Sequence, residues 1–321
     1  MAAPYKTLTG AYITLRAVVV QRCGNARRTT AFKFTAIVPL PKSWPEWDIV
    51  SVRHGLNGET LKPVLITGAA GGIGTMIRPL LRQDYRLRLS DRVAIPDPVD
   101  GEEIALADLS DMESLRRAVA GVDGIVHFGG RSGEASWETI HDANIEGCYN
   151  LFEAARLEGV RRIVFASSNH AVGFYGRDEK ISESVPVRPD SRYGVSKVFG
   201  EALGSLYAFK YGAEVLSIRI GNVSAQPADV RRLSIWVSPR DLCQLIKIGL
   251  ESPGIRHEVV YGASDNDRGW WDNSNAYRLG YRPQDRSEDY AADVLAGGSG
   301  TSGDNRIDLN QGGIFCVSET I

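Results

Sequence analysis

The run Val64-Leu65-Ile66-Thr67-Gly68-Ala69-Ala70-Gly71-Gly72-Ile73-Gly74 constrains this chain more than any other stretch. Apolar and β-branched residues lead straight into a glycine-rich turn, and an apolar, helix-capable segment, residues 75–81, follows at once. Strand, tight turn and helix in that order are the context a dinucleotide fingerprint requires. Each glycine then has its own task. Gly68 lets the backbone turn sharply off the strand. Gly71 lets backbone come close to a pyrophosphate, because no Cβ stands in the way. Gly74 lets the helix pack close to the sheet. The helix start, around Gly72 and Ile73, offers free N–H groups and a positive dipole end to phosphates. The spacing Gly-x-x-Gly-x-x-Gly is one residue longer than the commonest pattern. Taken alone, such a triplet also suits a loop that merely needs positive φ.

Two further features favour the nucleotide reading. The strand before the turn is short and fully apolar. A second strand ends on Asp91, 23 residues after Gly68. An acid there accepts hydrogen bonds from an adenosine ribose and repels a 2′-phosphate, which favours NAD over NADP as the cofactor. Arg92 beside it is an opposing feature, since an arginine can accommodate that phosphate.

Beyond this unit, strands and helices alternate. The pattern predicts strands over 63–67, 86–90, 103–107, 124–128, 162–167, 214–220 and 258–262, and helices over 73–83, 111–120, 137–158, 192–211 and 239–251. That alternation implies βαβ units and a Rossmann-type, doubly wound α/β fold with a parallel sheet. Runs such as Ile163-Val164-Phe165-Ala166 suit strands covered on both faces. Ligands of such sheets bind at the carboxyl ends of the strands. The residues just after each strand are therefore the candidates. Asp108 and Leu109 follow the third, as an adenine contact or equally as the cap region of the next helix. Phe128, Gly129, Gly130 and Ser132 follow the fourth, as backbone passing close to a cofactor or as an ordinary turn. Ser167-Ser168-Asn169-His170 follows the fifth, and Asn222, with Arg231 and Arg232 downstream, follows the sixth.

Composition narrows the class. The 321 residues suggest one large or two modest domains, and 43% hydrophobic residues are enough for a sizeable core. A net charge of −2 argues against nucleic acid or a membrane surface as the main partner. Cys23, Cys148, Cys243 and Cys316 lie far apart, which fits a reducing, cytoplasmic setting and gives no metal-ligand spacing. No apolar run approaches the ~18 residues of a membrane span. Residues 1–60 differ from the rest: Met1 to Pro45 holds seven basic residues and no acidic one. They are read as a poorly ordered N-terminal extension, with a transit peptide or a misassigned start as alternatives. The folded body is expected over 61–321, with substrate-binding elements mainly in 222–321. Ala296 to Asp304, rich in Gly and Ser, is expected to be a loop.

Tyr193 and Lys197 are four apart, so on a helix they share a face. An ammonium beside a phenol favours the phenolate, and such a pair can act as general base toward a hydroxyl. Ser168 can hold the reacting oxygen. Tyr-x-x-x-Lys by itself also fits a solvated helix face, but here it follows a glycine fingerprint and a Ser-Ser strand end.

The combination resembles the extended branch of the short-chain dehydrogenase/reductase superfamily, from Lys62 to the C-terminus. The resemblance implies that Ser168, Tyr193 and Lys197 are catalytic and that Asn144, in Asn144-Ile145-Glu146-Gly147, stands near the proton relay. Ile66 to Gly74 with Ile77-Arg78-Pro79, Phe165 to His170, Arg188-Pro189-Asp190-Ser191 and Gly269-Trp270-Trp271-Asp272-Asn273 are similar to the uronate dehydrogenase family. That resemblance implies oxidation of D-galacturonate or D-glucuronate at the anomeric carbon with NAD, giving an aldarolactone. It implies substrate contacts by Ser132, Ser168, Asn169, His170, Tyr193 and Arg231. Asn222 departs from the family, where a serine is expected, and can still bond a sugar hydroxyl. Arg231 can form two parallel charge-assisted bonds to a carboxylate. His170 fits either a structural histidine or a contact to substrate. The expected partner is a small uronic acid, and the chain is expected to be a homo-oligomer. The alternatives are a nucleotide-sugar epimerase or dehydratase of the same superfamily, for which about 100 residues after the sixth strand leave little room, and a non-enzymatic NAD sensor, which would not need both Tyr193 and Lys197.

Overall fold

The computed structural model describes Arg16–Cys23, Ala26–Lys33, residues 62–298 and residues 301–319. The chain divides into two compact units, 1–50 and 51–321. In the first, Arg16–Cys23 and Ala26–Lys33 pair as an antiparallel hairpin. The remainder of the expected N-terminal extension lies outside the described residues.

The second unit is built on one parallel sheet. Its strands are β1 (Pro63–Thr67), β2 (Arg86–Ser90), β3 (Glu103–Ile104), β4 (Gly124–His127), β5 (Arg162–Ser168), β6 (Glu214–Ile220) and β7 (His257–Gly262). Their order is β7-β6-β5-β4-β1-β2-β3, every pairing parallel. The principal helices are α1 (Gly72–Leu81), α2 (Met112–Val119), α3 (Gly147–Leu157), α4 (Arg192–Tyr211) and α5 (Pro239–Glu251).

Alternation along each strand sends successive side chains to opposite faces. Val64 and Ile66 pack with Ile77 and Leu81 of α1 and Leu242 and Ile246 of α5. Leu65, between them, packs with Leu115 of α2, Leu151 and Phe152 of α3 and Leu203 of α4. The apolar runs are thus explained: both faces are covered. The doubly wound α/β fold stands as expected.

Two predicted elements differ in detail. The strand expected over 103–107 is only Glu103–Ile104, because it is the exposed edge. Its backbone bonding continues in the same sense, Ala105 N to Leu89 O and Ala107 N to Asp91 O. The single helix expected over 137–158 is a composite. A short turn, Trp137–Ile140, runs into a π-helical turn, His141–Glu146, and then into α3. Such bulges shift the face a side chain presents and are frequent at functional sites. Past residue 264 the described residues form short helices, Ser274–Arg278, Ala291–Ala296 and Asn305–Asp308, with 3₁₀ turns at Ser287–Tyr290 and Gly313–Cys316.

Helix α4 is fastened to the sheet by a buried polar cluster. Glu201 accepts from Arg219 of β6 through Nε and Nη2, both at 2.9 Å, and from the Ser167 hydroxyl of β5 at 2.6 Å. The Gly200 position is tight against the Phe165 ring, where a Cβ would stand 2.1 Å from Cζ. Helix and sheet are held in one register by these contacts.

Candidate active site

The carboxyl ends of the strands open into one cleft of about 1090 Å³. Ligand clefts of α/β sheets form there because helix and loop diverge as the strands end. Of the sequence candidates, Gly68, Gly71, Gly72, Ile73, Gly74, Asp91, Asp108, Leu109, Phe128, Gly129, Gly130, Ser132, Ser168, Asn169, His170, Tyr193, Lys197, Asn222 and Arg231 all line it. Asn144 does not.

The glycine turn is shaped as a cradle. Gly68 has φ +67°, and a Cβ on it would fall 2.7 Å from the Phe128 carbonyl carbon. A Cβ on Gly74 would fall 2.6 Å from the Gly68 oxygen. Helices α2, α4 and α5 are capped by the Asp111, Ser191 and Ser238 side chains, whereas α1 starts at Gly71 with no side-chain cap. Its first N–H groups are therefore left to a ligand, and its dipole favours an anion. Asp91 is fixed by backbone: Oδ2 accepts from Ala70 N at 3.1 Å and Oδ1 from Arg92 N at 2.8 Å. A pyrophosphate at the turn and a ribose at Asp91 fit these residues.

Asp108 accepts from the Ser110 N–H and hydroxyl, and these bonds lower its pKa. It shapes the turn before α2 and does not cap it; Asp111 does. Leu109 packs against Gly129 and Gly147. Under the cleft floor, Thr67 Oγ1 meets His127 Nδ1 at 2.7 Å and accepts from Gly129 N at 3.3 Å. Burial, with the Lys197 charge nearby, pushes His127 down to about 3. It is a neutral partner of the Thr67 hydroxyl, and the pair sets the path of Phe128 and Gly129.

The start of α4 carries the reactive pair. Ser191 accepts from Gly194 N at 3.0 Å, and Glu134 accepts from Tyr193 N at 3.0 Å. Gly194 passes so near His170 that a Cβ would stand 2.4 Å from its carbonyl oxygen. Tyr193 thereby sits edge-on to His170, with ring centroids 5.8 Å apart. Lys197 is buried, its Nζ 5.3 Å from the Tyr193 ring centre, and no described carboxylate forms an ion pair with it. Its charge is available to stabilise negative charge on the phenol oxygen. Asn144, turned inward on the π turn, braces this region from behind. Its Oδ1 accepts from Arg131 N, and its Nδ2 donates to Arg131 O and Ser196 Oγ. Ser196 Oγ in turn donates to Tyr193 O at 2.7 Å.

Ser168 Oγ accepts from His170 N at 3.3 Å, so its own proton is free to point at a ligand oxygen. Asn169 is buried, and its Nδ2 has no hydrogen-bond partner among the described residues. His170 holds the buried Asp190 carboxylate through Nδ1 at 2.7 Å and stacks on Phe315 at 3.7 Å. Asn222 and Ser132 stand in the same cleft, Asn222 Oδ1 accepting from Ser224 Oγ.

Arg231 and Arg232 separate clearly. Arg232 is half exposed and ion-paired with Asp229. Arg231 is partly buried and forms no ion pair with a described residue; Nε and Nη2 both donate to the Gln311 carbonyl. Burial, with the Arg177 and Arg232 charges beside it, pulls Arg231 down to about 10, so it stays cationic at neutral pH. Glu134, Asp190, Gln311 and Phe315 were not among the candidates. Asp190 lay within a quoted motif; Gln311 and Phe315 carry no local signal, since only tertiary contact brings them here.

The model of the NAD dependent epimerase/dehydratase family matches residues 64–240. Uronate dehydrogenase of Pseudomonas putida is 48% identical over 258 residues, 79% of this chain and 96% of that protein. The chain belongs to this family, in its uronate dehydrogenase group. Among solved structures it is similar to glucuronic acid dehydrogenase from Chromohalobacter salexigens, 44% identical over 81% of this chain and 98% of the other, with a TM-score of 0.78. It is equally similar to a tyrosine-to-alanine mutant of Agrobacterium tumefaciens uronate dehydrogenase complexed with NAD, at 42% identity over 80% of this chain and 98% of the other, TM-score 0.78. NAD is the cofactor, and the uncapped glycine turn and the fixed Asp91 carboxylate fit it.

Tyr193→Phe keeps the ring against His170 and removes the hydroxyl. General-base loss typically costs roughly 10²–10⁴-fold in rate. NADH formation should fall by that factor while NAD affinity, measured by calorimetry, is retained; near-normal turnover would exclude Tyr193 as the base.

Proposed function

We propose that the chain oxidises a uronic acid of the galacturonate or glucuronate kind at its anomeric carbon, giving the aldarolactone. The observation that carries this reading is Arg231, a partly buried guanidinium in the cleft with no acidic partner among the described residues. A buried charge needs a counter-charge or it is costly. A sugar carboxylate supplies it.

The residues divide the work as follows. Gly68, Gly71 and the first turn of α1, Gly72 to Gly74, seat the pyrophosphate, and Asp91 takes the adenosine ribose hydroxyls. Asp108 and Leu109 border the adenine, and Phe128 to Gly130 line the path between. Bound NAD accepts the hydride of the anomeric C–H. Ser168 donates to the anomeric oxygen. Tyr193 takes the proton of that hydroxyl as the C=O bond forms. Lys197 stabilises the phenolate and holds the nicotinamide ribose. Asn169 offers its unpartnered Nδ2 to a ring hydroxyl, and His170 presents the nitrogen not used by Asp190. Ser132 and Asn222 contact hydroxyls at the rim, and Asn144 holds Arg131 and Ser196 in place around Tyr193.

The test is NADH absorbance with uronates, neutral hexoses and nucleotide-sugars. A hydrogen bond to a charged group is worth about 1.5–3 kcal/mol. Arg231→Ala should therefore lower kcat/KM for galacturonate by roughly one to two decades and leave galactose little changed. Equal losses on both substrates would place the defect in folding or cofactor binding.

We also propose that residues 1–60 are dispensable for turnover, because every described cleft residue lies beyond them. A protein starting at Leu61 should keep its kcat; a folded but inactive product would refute this. The separated cysteines support a reducing, cytoplasmic setting, and no described helix is long and apolar enough to cross a membrane. A homo-oligomer is supported by exposed apolar side chains on α3 and α4, among them Tyr149, Leu157, Leu206 and Phe209. Sedimentation should give more than the monomer mass, and a monomer at micromolar concentration would overturn it.

A further inference from the structure

Arg231 is held by chain 80 residues away in sequence. Nε and Nη2 donate together to the Gln311 carbonyl, at 3.2 and 2.5 Å. This occupies the side-on edge of the guanidinium. The end-on edge, Nη1 with the second hydrogen of Nη2, has no hydrogen-bond partner among the described residues. A planar guanidinium can take a carboxylate on either edge with two parallel bonds.

The next residues of that segment are shaped to the same arginine and to its neighbour. Gly313 has φ +63°, and a Cβ on it would fall 2.7 Å from Arg231 Nε and 3.1 Å from Cζ. The guanidinium therefore lies against bare backbone. A Cβ on Gly312 would fall 2.0 Å from Asp190 Oδ2, the oxygen that holds His170. One glycine passes the arginine, and the other passes the carboxylate behind the histidine.

The turn itself is fixed by the Gln311 side chain, which is fully buried. Its Oε1 accepts from Trp271 Nε1 at 2.9 Å, and its Nε2 donates to Gly176 O at 2.9 Å and Glu179 O at 3.1 Å. Its N–H donates to Tyr175 O, and Gly312 N donates to Gly173 O. Every polar group of Gln311 is thus satisfied, and the carbonyl that faces Arg231 cannot wander.

We infer that Gln311-Gly312-Gly313 is the specificity-determining seat of the site. It positions Arg231 through a neutral carbonyl, so the arginine is oriented but its charge is not cancelled. An acid in that place would orient the guanidinium equally well and neutralise the charge that attracts the substrate. The end-on edge is left to the carboxylate of the sugar. Gln311 and Gly313 act through Arg231 and are positioning residues. This inference rests on the proposed reading of Arg231 as the carboxylate contact.

The experiment compares Gly313→Ala and Gln311→Met with the parent and with Arg231→Ala. The readout is the ratio of kcat/KM for galacturonate to kcat/KM for galactose, with kcat and KM separated. Gly313→Ala displaces the guanidinium; Gln311→Met keeps length but loses the three side-chain bonds that hold the carbonyl. Each should lower the ratio by about tenfold or more, mainly through a higher KM for galacturonate, since the lost interaction is one of substrate binding. NAD affinity confirms that each variant is folded, and if Gly313→Ala does not fold, Gln311→Met decides alone. A ratio within about twofold of the parent, while Arg231→Ala still lowers it, overturns this inference and leaves the carboxylate reading intact. Losses equal on both sugars overturn it likewise, as mere structural support. A ratio unmoved by Arg231→Ala overturns the carboxylate reading, and this inference with it.

Discussion

The Glu201 carboxylate is the point on which the catalytic helix hangs. It sits in the middle of α4 and takes two bonds from Arg219 on β6 and one from Ser167 on β5. All three groups are buried. Breaking such a pair from one side strands a charge in the interior, which typically costs about 3–5 kcal/mol. Its consequence for the site is positional. Ser167 precedes Ser168, and α4 begins with Tyr193 and Lys197. One buried ion pair therefore sets the distance between the serine and the tyrosine that must address the same oxygen. A fully apolar contact could supply comparable stability, but it would not select one sliding position of helix over strand.

The rest of the cleft trades stability for charge. Lys197 is a buried cation and Arg231 a partly buried one, neither with an ion pair to a described residue. Two such groups lower stability, because burial without a counter-charge is unfavourable. They remain because α4 and the C-terminal turn over-determine their places. Neutral groups take up the supporting roles. His127 stays uncharged between Thr67 and Gly129, and main-chain oxygen, not carboxylate, receives Arg231. The local field is thus kept for phosphate, phenolate and substrate carboxylate.

How much was legible in the sequence follows from which signals are local. The sheet, its covered faces and the glycine cradle were readable, because strand period, apolar runs and a turn that forbids Cβ are written in consecutive residues. Helix α4 was predicted at its observed bounds, 192–211, since Ser191 marks its start and Gly212 its end. Even so, the π turn at His141–Glu146 was invisible, because its extra residue leaves composition unchanged while Asn144 on it turns inward to bond Ser196. The short third strand was over-read because an edge lacks the second neighbour that would extend it.

The sequence by itself determined the fold class, the nucleotide turn, the acid after β2 and the shared helix face of Tyr193 and Lys197. Each is specified by residue type at a fixed short spacing, and the chain geometry between such residues is nearly rigid. Only the tertiary structure decided which of Arg231 and Arg232 has no ion pair to a described residue, that Asp190 holds His170, and that Gln311 to Phe315 return to line the cleft. Those facts depend on packing between segments up to about 140 residues apart, and long-range contact leaves no period or spacing in the chain for a reader to find.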